Sequence, residues 1–347
     1  MPIPQFFVQI DEEGYALSAE VRIQDLPAGQ EILHNMKIHE GGTLLSTFGG
    51  TPVIVEAFDE PYVAAQVFHE DKNWKILLPY EVKLEFALES LSLDEWDRFH
   101  GYTVDRIPFV LSRAAQAEFF NLLEDFDDDS INFDGKNFEI PPYWSPRPDL
   151  EKEKFWSRSY AEGNNPGWNL GEPAEALKDM MPRLKMARSR ILILGCGEGH
   201  DAAFFAEQGH LVTAVDISAG ALERAKNLYS HLSTITWVEA DLFKLPRDFD
   251  GSFDVVFEHT CYCAINPQRR AELVKIWNRV LTEKGFIMGS FFALEKRQGP
   301  PFGGSEWELR QRLKDNYQPV FWGRVQYSVP HRQGKEFFVY AQKKRKV

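Results

Sequence analysis

The sequence predicts an α/β protein: a doubly wound sheet with antiparallel C-terminal strands, preceded by a separate α+β domain. Three observations predict it. Residues 151–347 alternate apolar, strand-like runs with helical stretches. One of these runs breaks into a loop with glycine at three alternate positions. A proline-dense stretch, Pro141-Pro142-Tyr143-Trp144-Ser145-Pro146-Arg147-Pro148, separates this half from a first half of different pattern. The expected division is therefore a domain over 1–140, a linker over 141–150 and a second domain over 151–347.

In the first domain, Phe6–Ile10, Ala16–Ile23, Thr51–Phe58, Tyr62–Phe68 and Trp74–Leu78 have the alternating or β-branched character of strands, and Asp71-Lys72-Asn73 reads as a hairpin turn. Leu93–Phe99 and Ser112–Leu123 are expected helices. The acidic segment Glu124–Asp129 reads as a solvated loop or helix end. No chemical motif is present; His100 beside Arg98 and Tyr102 is the one polar cluster of interest.

In the second domain the first strand is Ile191–Leu194, entering Gly195-Cys196-Gly197-Glu198-Gly199. A helix over Asp201–Gln208 follows, then a strand over Leu211–Val215 that ends in Asp216, 21 positions after Gly195. Glycines there let the backbone approach a ligand that a Cβ would strike. An acid at that distance, at the carboxyl end of the second strand, accepts hydrogen bonds from ribose hydroxyls. Together these predict a nucleoside-binding βαβ unit. Further along, a helix is expected over Ala219–Tyr229, strands over Ile235–Glu239 and Ser252–Glu258, and a helix over Gln268–Leu281 with Gly285 as its C-cap. A strand over Phe286–Phe292, a helix over Glu306–Lys314 and an antiparallel pair, Val320–Val329 with Glu336–Gln342, complete the pattern.

Bulk properties narrow the class. At 347 residues the length suits two domains, and a 44% hydrophobic share fills real cores. No apolar run reaches 18 residues, so no spanning helix is expected, and Met1–Gln5 lacks a secretion-signal pattern. The cysteines are Cys196, Cys261 and Cys263, an odd number that suggests reduced thiols in a cytoplasm. Cys261-x-Cys263 has no second pair, which argues against zinc or another metal. The net charge of −13 disfavours nucleic acid. The terminal Lys343-Lys344-Arg345-Lys346 reads as a basic solvated tail more readily than as a nuclear import signal.

The loop is compact: its fifth position is Gly199 and its sixth His200, where the dinucleotide fingerprint has its third glycine at the sixth. This form resembles the first motif of class I S-adenosylmethionine (SAM) methyltransferases. Several further segments together resemble the thiopurine S-methyltransferase superfamily, in its branch with the halide/thiol methyltransferases. They are Phe155-Trp156-Ser157-Arg158-Ser159-Tyr160, Asn165-Pro166-Gly167-Trp168-Asn169-Leu170-Gly171-Glu172-Pro173, the loop with His200-Asp201-Ala202, Phe253 through Thr260-Cys261-Tyr262-Cys263-Ala264-Ile265, and Gly299-Pro300-Pro301-Phe302. The resemblance covers residues 152–343 and leaves the first domain without a counterpart. Ile193 stands where many methyltransferases have an acid, Gly167 is inserted, and Asn169 replaces the family's aspartate.

The resemblance implies a SAM-dependent methyltransferase fold and activity, with S-adenosylhomocysteine as product. It implies that Gly195, Cys196, Gly197 and Gly199 line the amino-acid moiety, that Asp216 and Ile217 hold the ribose side, and that Asp241, Leu242 and Phe243 hold the adenine. Trp156 and Trp168 would close over the cofactor, where an aromatic face attracts a sulfonium. Glu258, His259 and Tyr262 would face the methyl and the acceptor, with Glu258 or His259 as a mild base. The expected acceptor is a small thiol, sulfide or thiopurine-like nucleophile, without nucleic-acid or membrane partners. Two alternatives stay open from the sequence: methylation of a protein recruited by the first domain, whose partner is unknown, and a silent SAM-binding sensor or scaffold.

Overall fold

A computed structural model of the protein describes residues 6–39, 41–127, 129–161, 164–325 and 327–345, and the chain forms two compact units. Met1–Gln5, Asp128 of the acidic segment, Gln326 of an expected strand and Lys346 of the basic tail lie outside the described residues. The first unit holds the chain up to Ser145 together with Ala293–Arg297 and Gly303–Glu308; the second holds the remainder. Residues 141–145 thus belong to the first unit and not to a free linker: the Tyr143 amide donates to the Leu93 carbonyl at 2.8 Å and Trp144 is buried.

The first unit is β-rich. A six-stranded sheet runs Val21–Arg22, Ala16–Ser18, Phe7–Ile10, Thr51–Ala57, Leu44–Phe48, Lys37–Ile38, with Phe7–Ile10 parallel to Thr51–Ala57. The expected strand Ala16–Ile23 is two strands, because Ala19 and Glu20 take φ of 48° and 65° and reverse the chain. Tyr62–Phe68 likewise divides: Tyr62–Ala64 joins Ser92–Leu93, Phe99–Tyr102 and Pro108–Leu111 in one sheet, and Gln66–Glu70 joins another with Asn73–Leu77 and Lys83–Phe86. The expected helix Leu93–Phe99 is a strand reversal. Asp94 Oδ1 accepts from the amides of Trp96 and Arg98, both at 2.9 Å, so its side chain stabilises a turn in competition with a helix. The helix Arg113–Leu122 forms under its Ser112 cap. A helix over Leu26–His34 lies outside the expected elements, although Asp25 caps it and Pro27 occupies its first turn. Part of the acidic segment pairs as a strand, Asp125–Phe126.

The core of this unit is aromatic: fully buried Phe119 meets Trp74 and Phe99 edge-on, at 5.3 and 5.5 Å. Beside it lies a buried ionic cluster. His100 stands between Glu60, at 2.8 Å, and Asp94, at 3.0 Å. Arg98 pairs with Asp94 at 2.9 Å and with Asp59. Tyr102 donates to Glu295 at 2.6 Å, and the Arg297 guanidinium lies 4.3 and 4.4 Å from the Tyr102 and Tyr143 rings. Buried charges persist when paired and hydrogen-bonded, and this pairing makes residues 293–297 and 303–308 contributors to a unit whose other residues all precede 146.

The second unit is one seven-stranded sheet with flanking helices. Its elements are α1 (Glu175–Leu184), β1 (Arg190–Leu194), α2 (His200–Glu207), β2 (Leu211–Asp216), α3 (Ala219–Leu228), β3 (Ile235–Glu239), β4 (Phe253–His259), α4 (Arg270–Val280), β5 (Leu281–Phe292), α5 (Glu306–Leu313, begun in the first unit), β6 (Tyr317–Arg324) and β7 (Glu336–Lys343). The strand order is β3-β2-β1-β4-β5-β7-β6, with β7 antiparallel to both neighbours and the others parallel. Ile191–Leu194 are buried on both faces, as central parallel strands require. Gly285 does not cap α4. The helix stops at Val280, and Leu281 turns extended at ψ 140° into β5, which carries Gly285 within it.

Replacing the Phe119 ring tests the first core. Phe119→Ala leaves a cavity and is expected to destabilise the protein by about 3–5 kcal/mol, whereas the exposed Val104→Ala is expected to stay within about 0.5 kcal/mol, measured by denaturant unfolding.

Candidate functional site

The site lies where β1–β4 end, the edge at which open α/β sheets bind ligands. The chain leaves β1 through Gly195, Gly197 and Gly199 at φ of 67°, 53° and 79°, all left-handed and strained for any other residue. A Cβ on Gly195 would stand 2.8 Å from Cys261 Sγ, on Gly197 3.0 Å from Tyr160 Oη, and on Gly199 2.4 Å from the Trp237 ring. The atoms that exclude a side chain here are therefore the protein's own. Glycine is thus required here by the fold itself, in addition to the close ligand approach expected from the sequence.

Asp216 ends β2 as expected and is buried. Its Oδ2 accepts from the Gly197 amide at 2.8 Å and its Oδ1 from the Ser218 amide at 2.9 Å. Burial raises its pKa above the usual carboxylate value, with the backbone amides of Ser218, Gly197 and Ile217 opposing. The carboxylate thus fixes the glycine loop as well as standing beside it. Past β3, Asp241 Oδ1 accepts from the Phe243 amide at 2.9 Å and its Oδ2 meets Lys244 at 3.0 Å, forming a tight turn that contains Leu242. The Arg269 guanidinium lies 3.5 Å from the Phe243 ring.

The segment expected to cover the cofactor packs against the loop through Tyr160 and Asn169. Trp168 Nε1 donates to Tyr160 Oη at 3.0 Å, and the Trp156 ring stands edge-on to Trp168 at 5.9 Å, its own Nε1 donating to the Leu150 carbonyl at 2.9 Å. Asn169, the residue in place of the family's aspartate, donates to Glu198 at 2.7 Å and bonds His200 Nε2 at 3.0 Å. Arg224 joins Glu198, at 2.8 Å, to the carbonyls of Asn164, Tyr160 and Ala161, at 2.9–3.0 Å. Tyr160, Glu198, Asp201, Arg224 and Arg332 were not singled out in the sequence as site residues. Tyr160 lies within the recognised aromatic signature, whereas nothing local in the sequence ties Arg224 or Arg332 to the loop.

At the end of β4, Glu258 is buried and its Oε1 accepts from the Tyr262 amide at 2.7 Å. Burial pushes its carboxyl up to about 7, against the pull of the Tyr262 amide. Cys196 is part-exposed in the loop, its thiol pushed up by burial and by Asp216. His259 has both ring nitrogens engaged, Nδ1 with Asp201 at 2.8 Å and Nε2 with Arg332 at 3.0 Å. Burial lowers its pKa, but Asp201 outweighs this and the group lies above its ordinary value. The Tyr262 ring packs into the interior 6.0 Å from Trp277 and 5.6 Å from Phe291. The structure therefore brings the glycine loop, Asp216, Cys261 and the aromatic cover together and sets the Tyr262 ring in the packed interior beside them. Among the described residues, no group of three His, Cys, Asp or Glu could hold a metal, and no helix is long and apolar enough to cross a membrane.

The donor set fits SAM. A left-handed glycine loop offers backbone, Asp216 is a buried acceptor at the second strand, Asp241 stands past the third, and the rings of Trp156, Tyr160 and Trp168 pack together beside the loop. This strand order and site together define a SAM-dependent methyltransferase of class I. Residues 151–344 match the family of thiopurine S-methyltransferase (TPMT), more than half of the chain, and the protein belongs to that family. It is 27% identical to thiocyanate methyltransferase 1 of Brassica oleracea, over 54% of this chain and 84% of that protein. It is 28% identical to probable thiol methyltransferase 2 of Arabidopsis thaliana, over 46% and 70%. A thiopurine S-methyltransferase of Pseudomonas fluorescens is 26% identical, over 47% and 81%.

Two measurements probe the site. Gly199→Ala places a Cβ against Trp237 in a left-handed residue, and calorimetry is expected to show SAM binding weakened about 5- to 150-fold, since one such strain costs about 1–3 kcal/mol. Glu258 has a folded pKa raised above its unfolded value, so the stability from keeping it protonated is full below about 4.5 and lost as pH rises through about 7. Between pH 5 and pH 8 the protein is expected to lose on the order of 3 kcal/mol that Glu258→Gln does not lose, read from unfolding midpoints at each pH.

Proposed function

We propose that the second unit methylates a small sulfur nucleophile, with thiocyanate, sulfide, simple thiols and thiopurines as the acceptor class. The observation that carries this reading is the state of the two candidate bases. His259 has its two nitrogens committed to Asp201 and Arg332, and Glu258 holds the Tyr262 amide from a buried position. His259 therefore has no ring nitrogen free to act as a base, and the Glu258 carboxyl is buried with Oε1 already on a backbone amide. An acceptor suited to such a site brings its own negative charge, as thiocyanate does, or ionises readily, as thiols do near pKa 8.5. The relatives named above act on thiocyanate, thiols and thiopurines by their names, and all three are sulfur acceptors.

The cofactor, when bound, supplies a methyl group on a sulfonium that needs no further activation. This chain's residues bind and align. Asp216 would accept from the ribose, Asp241 and Phe243 would hold the adenine, and the loop backbone from Gly195 to Gly199 would carry the amino-acid end. Trp156, Tyr160 and Trp168 would exclude water and offer aromatic rings to the cation. Catalysis then rests on positioning and on desolvation of the incoming anion.

The test is S-adenosylhomocysteine production with thiocyanate, sulfide, small thiols and thiopurines, followed across pH. Turnover is expected with at least one of them. With a thiol the rate is expected to climb toward the acceptor's own pKa, and with thiocyanate to lack that rise. No turnover with any of these acceptors, while SAM still binds, would sink the reading. So would a pH profile that is the same for thiol and thiocyanate.

A further inference from the structure

We propose that His259 is a positioning residue that holds the cover segment 164–174 shut through Arg332, and does not act as a base. The inference rests on reading that segment as the cofactor's cover. A continuous chain of contacts runs through it. Asp201 Oδ1 accepts from the Ala174 amide at 2.8 Å, at the end of the segment. Asp201 Oδ2 accepts from His259 Nδ1 at 2.8 Å. Arg332 Nη1 donates to His259 Nε2 at 3.0 Å, and its Nη2 donates to the Trp168 carbonyl at 3.0 Å, in the middle of the segment.

The chemistry of the donors fixes the direction of each bond. A guanidinium has five N–H donors and no acceptor, so His259 Nε2 faces Arg332 with its lone pair. A carboxylate has only acceptors, so the imidazole proton sits on Nδ1, toward Asp201. In this arrangement the ring carries one proton, in a single tautomer set on both sides. Arg332 is buried, and Glu336 at 3.7 Å balances its charge. The Phe292 ring, 5.4 Å from the guanidinium carbon, backs it. Arg332 is thereby aimed at one backbone carbonyl of the cover, in the residue whose indole also bonds Tyr160. His259 and Asp201 sit at the ends of a central strand and at the start of a helix, both rigid supports. The segment they hold is loop, with Gly167 and Gly171 within it and Asn164, Asn165 and Gly167 exposed. The rigid end of the sheet thus clamps a mobile type of backbone at two points, Trp168 and Ala174. The groups that set the charge on His259 are Asp201 and Glu336, which favour the imidazolium, and Arg332, which disfavours it.

The experiment uses the full chain, His259→Asn and Arg332→Gln, with S-adenosylhomocysteine as the probe. Three readouts are taken: its Kd by calorimetry, amide-exchange protection of residues 164–174 in the free protein, and the ¹⁵N imidazole signature of His259 at pH 8. The expected result is an unprotonated Nε2 in the wild type, loss of protection confined to 164–174 in both variants, and a Kd weakened about 10- to 100-fold, the range for a lost hydrogen bond to a charged group. Unchanged protection of α4, in the same unit as both substitutions, shows that a variant is folded. Should 164–174 stay protected in both variants, the proposal is overturned, whatever happens to the Kd. A protonated Nε2 in the wild type at pH 8 also overturns it. Protection lost with an unchanged Kd leaves the clamp standing and overturns instead the reading of this segment as the cofactor's cover.

Discussion

The left-handed passage from β1 to α2 is the constraint on which the second unit depends. Three residues of five take φ values that only glycine holds without strain, and each is packed against a different part of the chain: Cys261 after β4, Tyr160 before the sheet, and Trp237 in β3. A single loop therefore fixes the spacing of three elements, at the edge where the strands end. The buried carboxylate of Asp216 reinforces it from β2 by accepting from the Gly197 amide. The same atoms that shape the floor of the site hold the fold together there, so binding geometry and stability cannot be varied independently.

Around this floor the polar groups are satisfied in pairs. Glu198 takes Arg224 and Asn169, and Asp201 takes His259 and the Ala174 amide. Such pairing is what a low-dielectric site demands, because an unpartnered buried charge costs far more than its pairing returns. At the end of the fourth strand the same rule commits both His259 nitrogens to Asp201 and Arg332 and one Glu258 oxygen to the Tyr262 amide.

The first unit follows the same rule with a different outcome. Its ionic cluster joins Asp59, Glu60, Asp94, Arg98 and His100 with Glu295, Arg297 and Ser305, residues about two hundred positions later in the chain. A few residues between β5 and α5 are thus built into a unit otherwise made from the chain before residue 146. Only loop 298–302, the Gly-Pro-Pro-Phe region, returns to the second unit. There the Phe302 amide donates to the Cys263 carbonyl at 2.6 Å, beside the end of β4.

Local chemistry determined much of this in the sequence. Apolar runs bounded by glycine and acid marked β1, β2 and the loop between them, because a buried parallel strand and a left-handed turn each demand particular residues at particular positions. The helices expected from Ser112 and Ala219 formed close to those bounds, and in the fold Ser112 and Ser218 cap them. Tertiary structure decided what depends on partners far apart. Leu93–Phe99 became a turn because Asp94 found backbone amides and Arg98, and Gly285 entered a strand because α4 had already ended at Val280. Arg332 and Arg224 joined the site from distant positions that no periodicity links to the glycine loop. A hydrogen bond is specified by where two groups end up in space, and only the folded chain determines that.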